Sequence, residues 1–255
     1  MVQPSDILHF LSRHPSIRTL FLLDGIHLSP SPPSSLPKPI LPSLEKVVAY
    51  SAYLQWLLRD EDQCPELKEI TLRTGLYFFS CPIRYDLVDR AFEDVLLPRS
   101  RKPDIIGLHL QPDDPGLDAW LQSHIGDSAT GGPNPQSSLL VTSKHILPKF
   151  VHTKRLRIDS MSFSGIIDSS DPESDSRTQT GPSRLELIAR FAGSFPDLEY
   201  LELDILTDDG LITRRVVDAV KQHCPQVKKL EFRYGSGIDI DQFGESGSGN
   251  VVNVR

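Results

Sequence analysis

A short phrase, Pro-x-apolar-x-x-apolar-x-apolar, recurs along this chain, each time after a stretch of helical periodicity. It reads Pro15-Ser-Ile17-Arg-Thr-Leu20-Phe-Leu22, then Pro42-Ser-Leu44-Glu-Lys-Val47-Val-Ala49, then Pro65-Glu-Leu67-Lys-Glu-Ile70-Thr-Leu72. Further copies are Pro103-Asp-Ile105-Ile-Gly-Leu108-His-Leu110, Pro196-Asp-Leu198-Glu-Tyr-Leu201-Glu-Leu203 and Pro225-Gln-Val227-Lys-Lys-Leu230-Glu-Phe232. Self-similarity at a spacing of a few tens of residues is the mark of stacked structural units, none of which buries its apolar face alone.

Each copy has two halves. The stretches Asp6 to Arg13, Ala52 to Gln63, Tyr85 to Leu97, Arg184 to Gly193 and Leu211 to His223 carry apolar residues at helical spacing. Thr207-Asp208-Asp209 reads as an N-cap for the last of them. The proline then stops the helix, because it lacks an N–H and disfavours helical geometry in the residue before it. Beyond it apolar residues alternate with period 2, as in Tyr200-Leu201-Glu202-Leu203-Asp204, which predicts a half-buried strand. A degraded copy is expected around Leu156-Arg157-Ile158-Asp159, led by Leu139 to Phe150. One helix and one strand per copy predicts an α/β solenoid of about six or seven units, with parallel strands on its concave side and helices on its convex side.

The prolines fall at uneven intervals, which implies insertions. Residues near 29–42 are rich in Ser and Pro, 126–138 in Gly, Pro and Ser, and 168–183 in acid and Ser. Such segments bury too little apolar surface to offset the entropy of ordering, and disorder is expected there. The reading is a single repeat domain over 1–234 with a flexible tail over 235–255.

Composition narrows the function classes. A net charge of -7 over 255 residues argues against binding nucleic acid or anionic membranes, which need a basic face. No apolar run approaches the roughly 20 residues of a transmembrane helix, and Met-Val-Gln-Pro-Ser-Asp lacks signal-peptide features. A cytoplasmic or nuclear location follows as the expectation. Cys64 and Cys224 each precede a phrase proline, where a small buried residue is needed, and Cys81 stands apart. With no Cys-x-x-Cys pair, neither a disulfide framework nor a zinc site is expected.

The combination of a helix and Cys/His/Phe-Pro-x-Leu-x-x-Leu-x-Leu resembles the irregular leucine-rich repeats of fungal F-box proteins, especially those of mushroom-forming fungi. The resemblance covers most of Asp6 to Tyr234. It implies a horseshoe that captures substrates, and a role as the substrate-binding part of a ubiquitin-ligase receptor. In that family an F-box of roughly 40 residues precedes the repeats and docks to the adaptor of a cullin ligase. No F-box-like segment, with a Leu-Pro start and amphipathic helices, stands before the first copy here. The expectation is therefore a repeat-only relative, or a protein whose F-box lies outside this sequence. The alternative is a repeat-only scaffold or adaptor unconnected to ubiquitin.

No enzyme constellation is expected. Gly244-Glu-Ser246-Gly-Ser248 approaches a nucleophile elbow but ends in Ser, and Gly235-Ser-Gly237 lacks the third glycine of a dinucleotide fingerprint. Asp239-Ile-Asp241 begins like a calcium loop and then departs from it at Phe243. None of the eight histidines forms a His-Glu-x-x-His pair. The acids Asp168, Asp171, Glu173 and Asp175 read as a solvated loop. The chain is read as non-catalytic, without cofactor or metal.

If the strands lie side by side, the residues between the inward apolar positions share one exposed face. The candidate partner-binding residues there are Phe21, Leu23, Val48, Tyr50, Arg73, His109, Arg157, Tyr200, Glu202, Glu231 and Arg233. Phe21, Leu23, Val48 and Tyr50 make an apolar end suited either to anchoring a protein partner or, since a solenoid end needs a cap, to packing under the Pro-rich segment Ser29 to Pro42 or against an F-box region. The later charges are expected to set partner choice.

Overall fold

The computed structural model describes residues 4–22, 41–58, 60–74, 83–111, 114–125, 146–160, 182–204, 210–232 and 237–240. The fold is α/β, with eight strands and six α-helices among these residues. The chain forms two compact units, 1–111 and 112–255.

Unit 1 contains α1 (Pro4–Ser12), β1 (Thr19–Leu22), β2 (Lys46–Tyr50), α2 (Ser51–Leu57), β3 (Glu69–Arg73), α3 (Tyr85–Arg90) and β4 (Ile105–Leu110). Its strands pair in parallel and in chain order, with Leu20 beside Val47, Val47 beside Ile70 and Ile70 beside Ile106. Unit 2 contains α4 (Leu117–His124), β5 (Arg155–Ser160), α5 (Arg184–Gly193), β6 (Tyr200–Leu203), α6 (Gly210–His223), β7 (Lys229–Phe232) and β8 (Ile238–Asp239). There β5, β6 and β7 are parallel, and β8 turns back antiparallel to β7.

The phrase explains where the strands start. In β1, β2, β3, β6 and β7 the first strand residue lies four positions after the phrase proline. One backbone bond recurs just before β2, β3, β6 and β7. The Arg18 carbonyl accepts from the Glu45 and Lys46 N–H groups, and the Glu45 carbonyl accepts from those of Lys68 and Glu69. In unit 2 the Lys154 carbonyl accepts from Glu199 and Tyr200, and the Glu199 carbonyl from Lys228 and Lys229. This shared hydrogen bond sets the register, so every alternate apolar residue reaches the core. Val47, Ala49, Ile70, Leu72, Ile106, Leu108, Leu156, Ile158, Leu201 and Leu230 are completely buried.

Side chains from one phrase cap the helix end of the copy before it. Gln226 Nε2 donates to the carbonyls of Gly193 at 3.2 Å and Phe195 at 2.8 Å, and Cys224 Sγ to that of Ala189 at 2.7 Å. Arg99 Nη2 donates to the Cys64 carbonyl at 2.9 Å. The Gln226 bonds satisfy carbonyls that the end of α5 leaves without intrahelical partners, while Cys224 and Arg99 add a donor to carbonyls at Ala189 and Cys64. At the other end of α5, Ser183 Oγ accepts from the Glu186 N–H at 3.2 Å, an N-cap within a Ser-x-x-Glu sequence.

The elements differ from the sequence expectation in four places. The helix expected over Ala52 to Gln63 stops at Leu57, and a separate 3₁₀ turn follows at Glu61–Gln63. Leu58 leaves helical backbone at φ -109 and ψ 12, which keeps Leu57 and Leu58 buried and turns Gln63 and Cys64 inward. The helix α3 continues as a π-helical turn over Ala91–Leu96, bringing Phe92, Val95 and Leu96 to the core. The helix α4 had no counterpart in the sequence reading. Its buried Leu117, Trp120, Leu121 and His124 fall at i, i+3, i+4 and i+7, a legible signal. Finally, the stretch read as a tail from 235 contains β8, whose neighbour Ile240 is buried. The alternation Ile238-Asp239-Ile240 explains it. The expected N-cap at Thr207-Asp208-Asp209 and the segments 126–138 and 168–181 lie outside the described residues.

Candidate partner-binding face

In unit 1 the register lines up three rows between the inward leucines, valines and isoleucines. The rows are Thr19, Lys46, Glu69 and Ile105; Phe21, Val48, Thr71 and Gly107; and Tyr50, Arg73 and His109. Side-chain size falls steadily along the second row. At its far end a Cβ on Gly107 would press into Thr71, 3.0 Å from Thr71 Cβ and closer still to Oγ1. Lys46 and Glu69 form an ion pair at 2.7 Å. The Arg73 guanidinium lies over the Tyr50 ring, 5.7 Å from its centroid, and Thr74 Oγ1 donates to the His109 carbonyl at 2.8 Å.

In unit 2 the rows are Arg155, Tyr200 and Lys229, then Arg157, Glu202 and Glu231. Their charges close on one another. Arg157 Nε meets Glu202 at 3.0 Å, Arg155 meets Glu202 at 3.2 Å and also Glu231, and Lys229 meets Glu231 at 2.7 Å. One position before the strands, Glu199 lies 3.7 Å from Lys154 and 3.5 Å from Lys228. The matching position in unit 1 places Lys68 3.9 Å from Glu45.

These contacts sort the expected residues. Phe21 is 56% exposed and Tyr200 37%, so both are presented to solvent. Val48, Tyr50 and His109 are half-buried. Arg73 is a correction: it is only 9% exposed, with Thr71 beside it at 4%, so the outward face of β3 is covered rather than open. Arg157, Glu202 and Glu231 face outward but are engaged in the ion-pair network, because register sets acid directly across from base. Free charge at this end, expected to set partner choice, is thereby largely neutralised. Leu23 and Arg233 lie outside the described residues.

Sequence reasoning missed that Arg155 is the hub of this network, and missed the alternation of charge one residue before each strand: Arg18, Glu45, Lys68 in unit 1 and Lys154, Glu199, Lys228 in unit 2. The alternation was readable by aligning the phrases on their prolines, except at Lys154, whose degraded copy lacks the phrase proline. Elsewhere, Glu61 Oε1 accepts from the Ser100 hydroxyl and from the Ser100 and Arg101 N–H groups at 2.9 and 3.1 Å. The Ser100 hydroxyl bond, then the Arg101 N–H, hold this carboxyl below its ordinary range. Burial, opposed by the charge of Arg99, pushes the Cys64 thiol up to about 12.

Among the described residues, no three His, Cys, Asp or Glu side chains are grouped so as to hold a metal, and no helix is long and apolar enough to cross a membrane. Comparison with family models, with curated proteins and with solved structures finds no match to this chain.

Proposed function

We propose that the chain is a non-catalytic protein-recognition module, a leucine-rich-repeat-like solenoid whose partner surface is the half-exposed side of its sheet. One observation carries this reading. Parallel sheets are ordinarily covered on both faces, yet β2, β6 and β7 alternate between buried and partly exposed residues. A parallel sheet with one accessible face is the arrangement that stacked repeats use to bind extended partners. Phe21 in unit 1 and Tyr200 in unit 2, each aromatic and exposed, are the anchors of the accessible strand face of its own unit.

On the strength of the phrase resemblance, the module serves as the substrate-binding region of an F-box-type ubiquitin-ligase receptor, acting in the cytoplasm or nucleus. The test is quantitative capture of bound proteins by the wild-type chain, by Phe21→Asp and Tyr200→Asp, and by Arg214→Glu on α6 as a control away from the sheet face. Proteins lost with the first two variants and kept with the control support the face. Identical capture by all four chains would overturn it. Co-capture of the cullin adaptor with the longest natural transcript product supports the ligase role, whereas partners without adaptor favour a free-standing scaffold.

A further inference from the structure

The outer edge of β1 is built like an interior position of the sheet but has no neighbouring strand among the described residues. In each later phrase whose pre-strand bond is described, one or both of the two N–H groups at the strand start donate to a carbonyl of the preceding strand's leader residue. The equivalent N–H groups of Arg18 and Thr19 make no such bond among the described residues. The inward side chains tell the same story. Leu20 and Leu22 are only half-buried, while Val47 and Ala49 beside them are completely buried. The strand Thr19-Leu20-Phe21-Leu22 carries no charge, Phe21 and Phe10 are each 56% exposed, and Arg18 is exposed and forms no ion pair among the described residues. An uncharged open edge of this kind is a template for another strand.

We infer that this edge accepts an extended segment of another protein as one further parallel strand, with the form acid-x-apolar-x-apolar. Charge complementarity chooses the acid. Moving outward along the leader positions the sign alternates from Lys68 to Glu45 to Arg18, so the next place takes a carboxylate. Register chooses the rest. The segment's acidic residue aligns with Arg18, and its carbonyl accepts from the Arg18 and Thr19 N–H groups. Its apolar residues, two and four places on, cover Leu20 and Leu22. Two strands already in the fold have this form, Glu45-Lys46-Val47-Val48-Ala49 and Glu199-Tyr200-Leu201-Glu202-Leu203, each seated against a cationic leader residue. Main-chain bonds supply affinity in such strand addition, and the acid and apolar positions supply selection. This deepens the recognition reading and names the partner's chemistry at an edge separate from the sheet face.

The probe is a fluorescein-labelled peptide copying residues 42–50, titrated with the whole chain and followed by anisotropy. We expect saturable binding, weakened at least about tenfold by Arg18→Glu and by Thr19→Pro, which removes an outward donor at a strand start where proline is tolerated. The Glu45→Lys version of the peptide should bind Arg18→Glu better than wild type, and this charge swap excludes simple misfolding. Binding indifferent to both edge variants, or no binding at all, would overturn the inference. So would a dimer of the free protein that Thr19→Pro abolishes in sedimentation, since a second copy would then hold the edge. If face-dependent capture of proteins persists while the peptide fails, only the edge inference is lost.

Discussion

Arg99 Nη2 reaches back 35 residues to donate to the carbonyl of Cys64 at 2.9 Å, and lies 3.4 Å from that of Glu61. Arg99 is 5% exposed and its bond to the Cys64 carbonyl is buried, so little water can take its place there. Burial accordingly lowers the Arg99 pKa, with Cys64 and Glu61 opposing. Arg99→Ala should cost about 2–3 kcal/mol, because the Cys64 carbonyl keeps only its 3.4 Å bond from the Leu67 N–H and a gap opens behind it. Urea unfolding measures this, and a loss under about 0.5 kcal/mol would refute the capping role.

The Glu61 clamp makes stability depend on pH. Its carboxylate accepts from Ser100 and Arg101, so the folded state holds the carboxyl below its ordinary value of 4.5. The stabilisation is fully present above that value and is lost as pH falls through the lower folded one. Glu61→Gln should be about 1 kcal/mol less stable than wild type at neutral pH. The two melting curves should converge in acid. A gap that stays constant down to about pH 3 would show that the charge of Glu61 is irrelevant.

Two glycines stand where another backbone or side chain leaves no room. A Cβ at Gly107 would strike the Thr71 side chain, and one at Gly193 would strike the His223 carbonyl oxygen. Gly107→Ala should therefore cost about 1–3 kcal/mol. Adding Thr71→Ala should recover part of it, since Oγ1 is the nearest obstacle. Gly193→Ala should be at least as costly, and no side-chain truncation should rescue it, because the obstacle is main chain. Thermal unfolding of the single and double variants distinguishes the cases.

Glu202 sits between Arg155 and Arg157. Glu202→Lys replaces two attractions with two repulsions on a partly buried face, and about 2 kcal/mol of stability should be lost. Salt screens such charges, so the penalty should shrink as ionic strength rises. A penalty independent of salt would mean that packing, not charge, explains it.

Burial raises both the Cys64 and Cys224 thiols to about 12. Only the thiolate reacts with alkylating agents. Site-resolved mass spectrometry at about pH 8 should find both thiols unmodified by iodoacetamide in the native protein and rapidly modified in urea. Native labelling at the rate of a free thiol would contradict their burial.

Much of the fold was legible in advance. The period-2 run after each proline located β1, β2, β3, β4, β6 and β7, and the degraded copy located β5. The inward set followed from the same alternation, and from Val47 to Leu230 these side chains pack without exposure. The candidate face was less legible. Phe21 and Tyr200 are exposed as the alternation implies. Thr71 and Arg73 occupy the same pattern positions and are buried, because period 2 assigns a residue to a side of the sheet and cannot say whether that side is covered. Nor did the spacing of Arg155, Arg157, Glu202 and Glu231 reveal that they would neutralise one another. Up to 76 residues separate those partners, and only strand register brings them together.

The sequence by itself determined the local units: helices ended by proline, strands begun at a fixed offset from it, and an alternation dividing inward from outward residues. Those are short-range consequences of backbone geometry and apolar periodicity. The tertiary structure decided which outward residues meet solvent, which charges find partners, and which strand edge has no neighbour among the described residues. Burial, ion pairing and edge pairing depend on what packs alongside, and neighbours in space across these strands lie tens of residues apart in the chain.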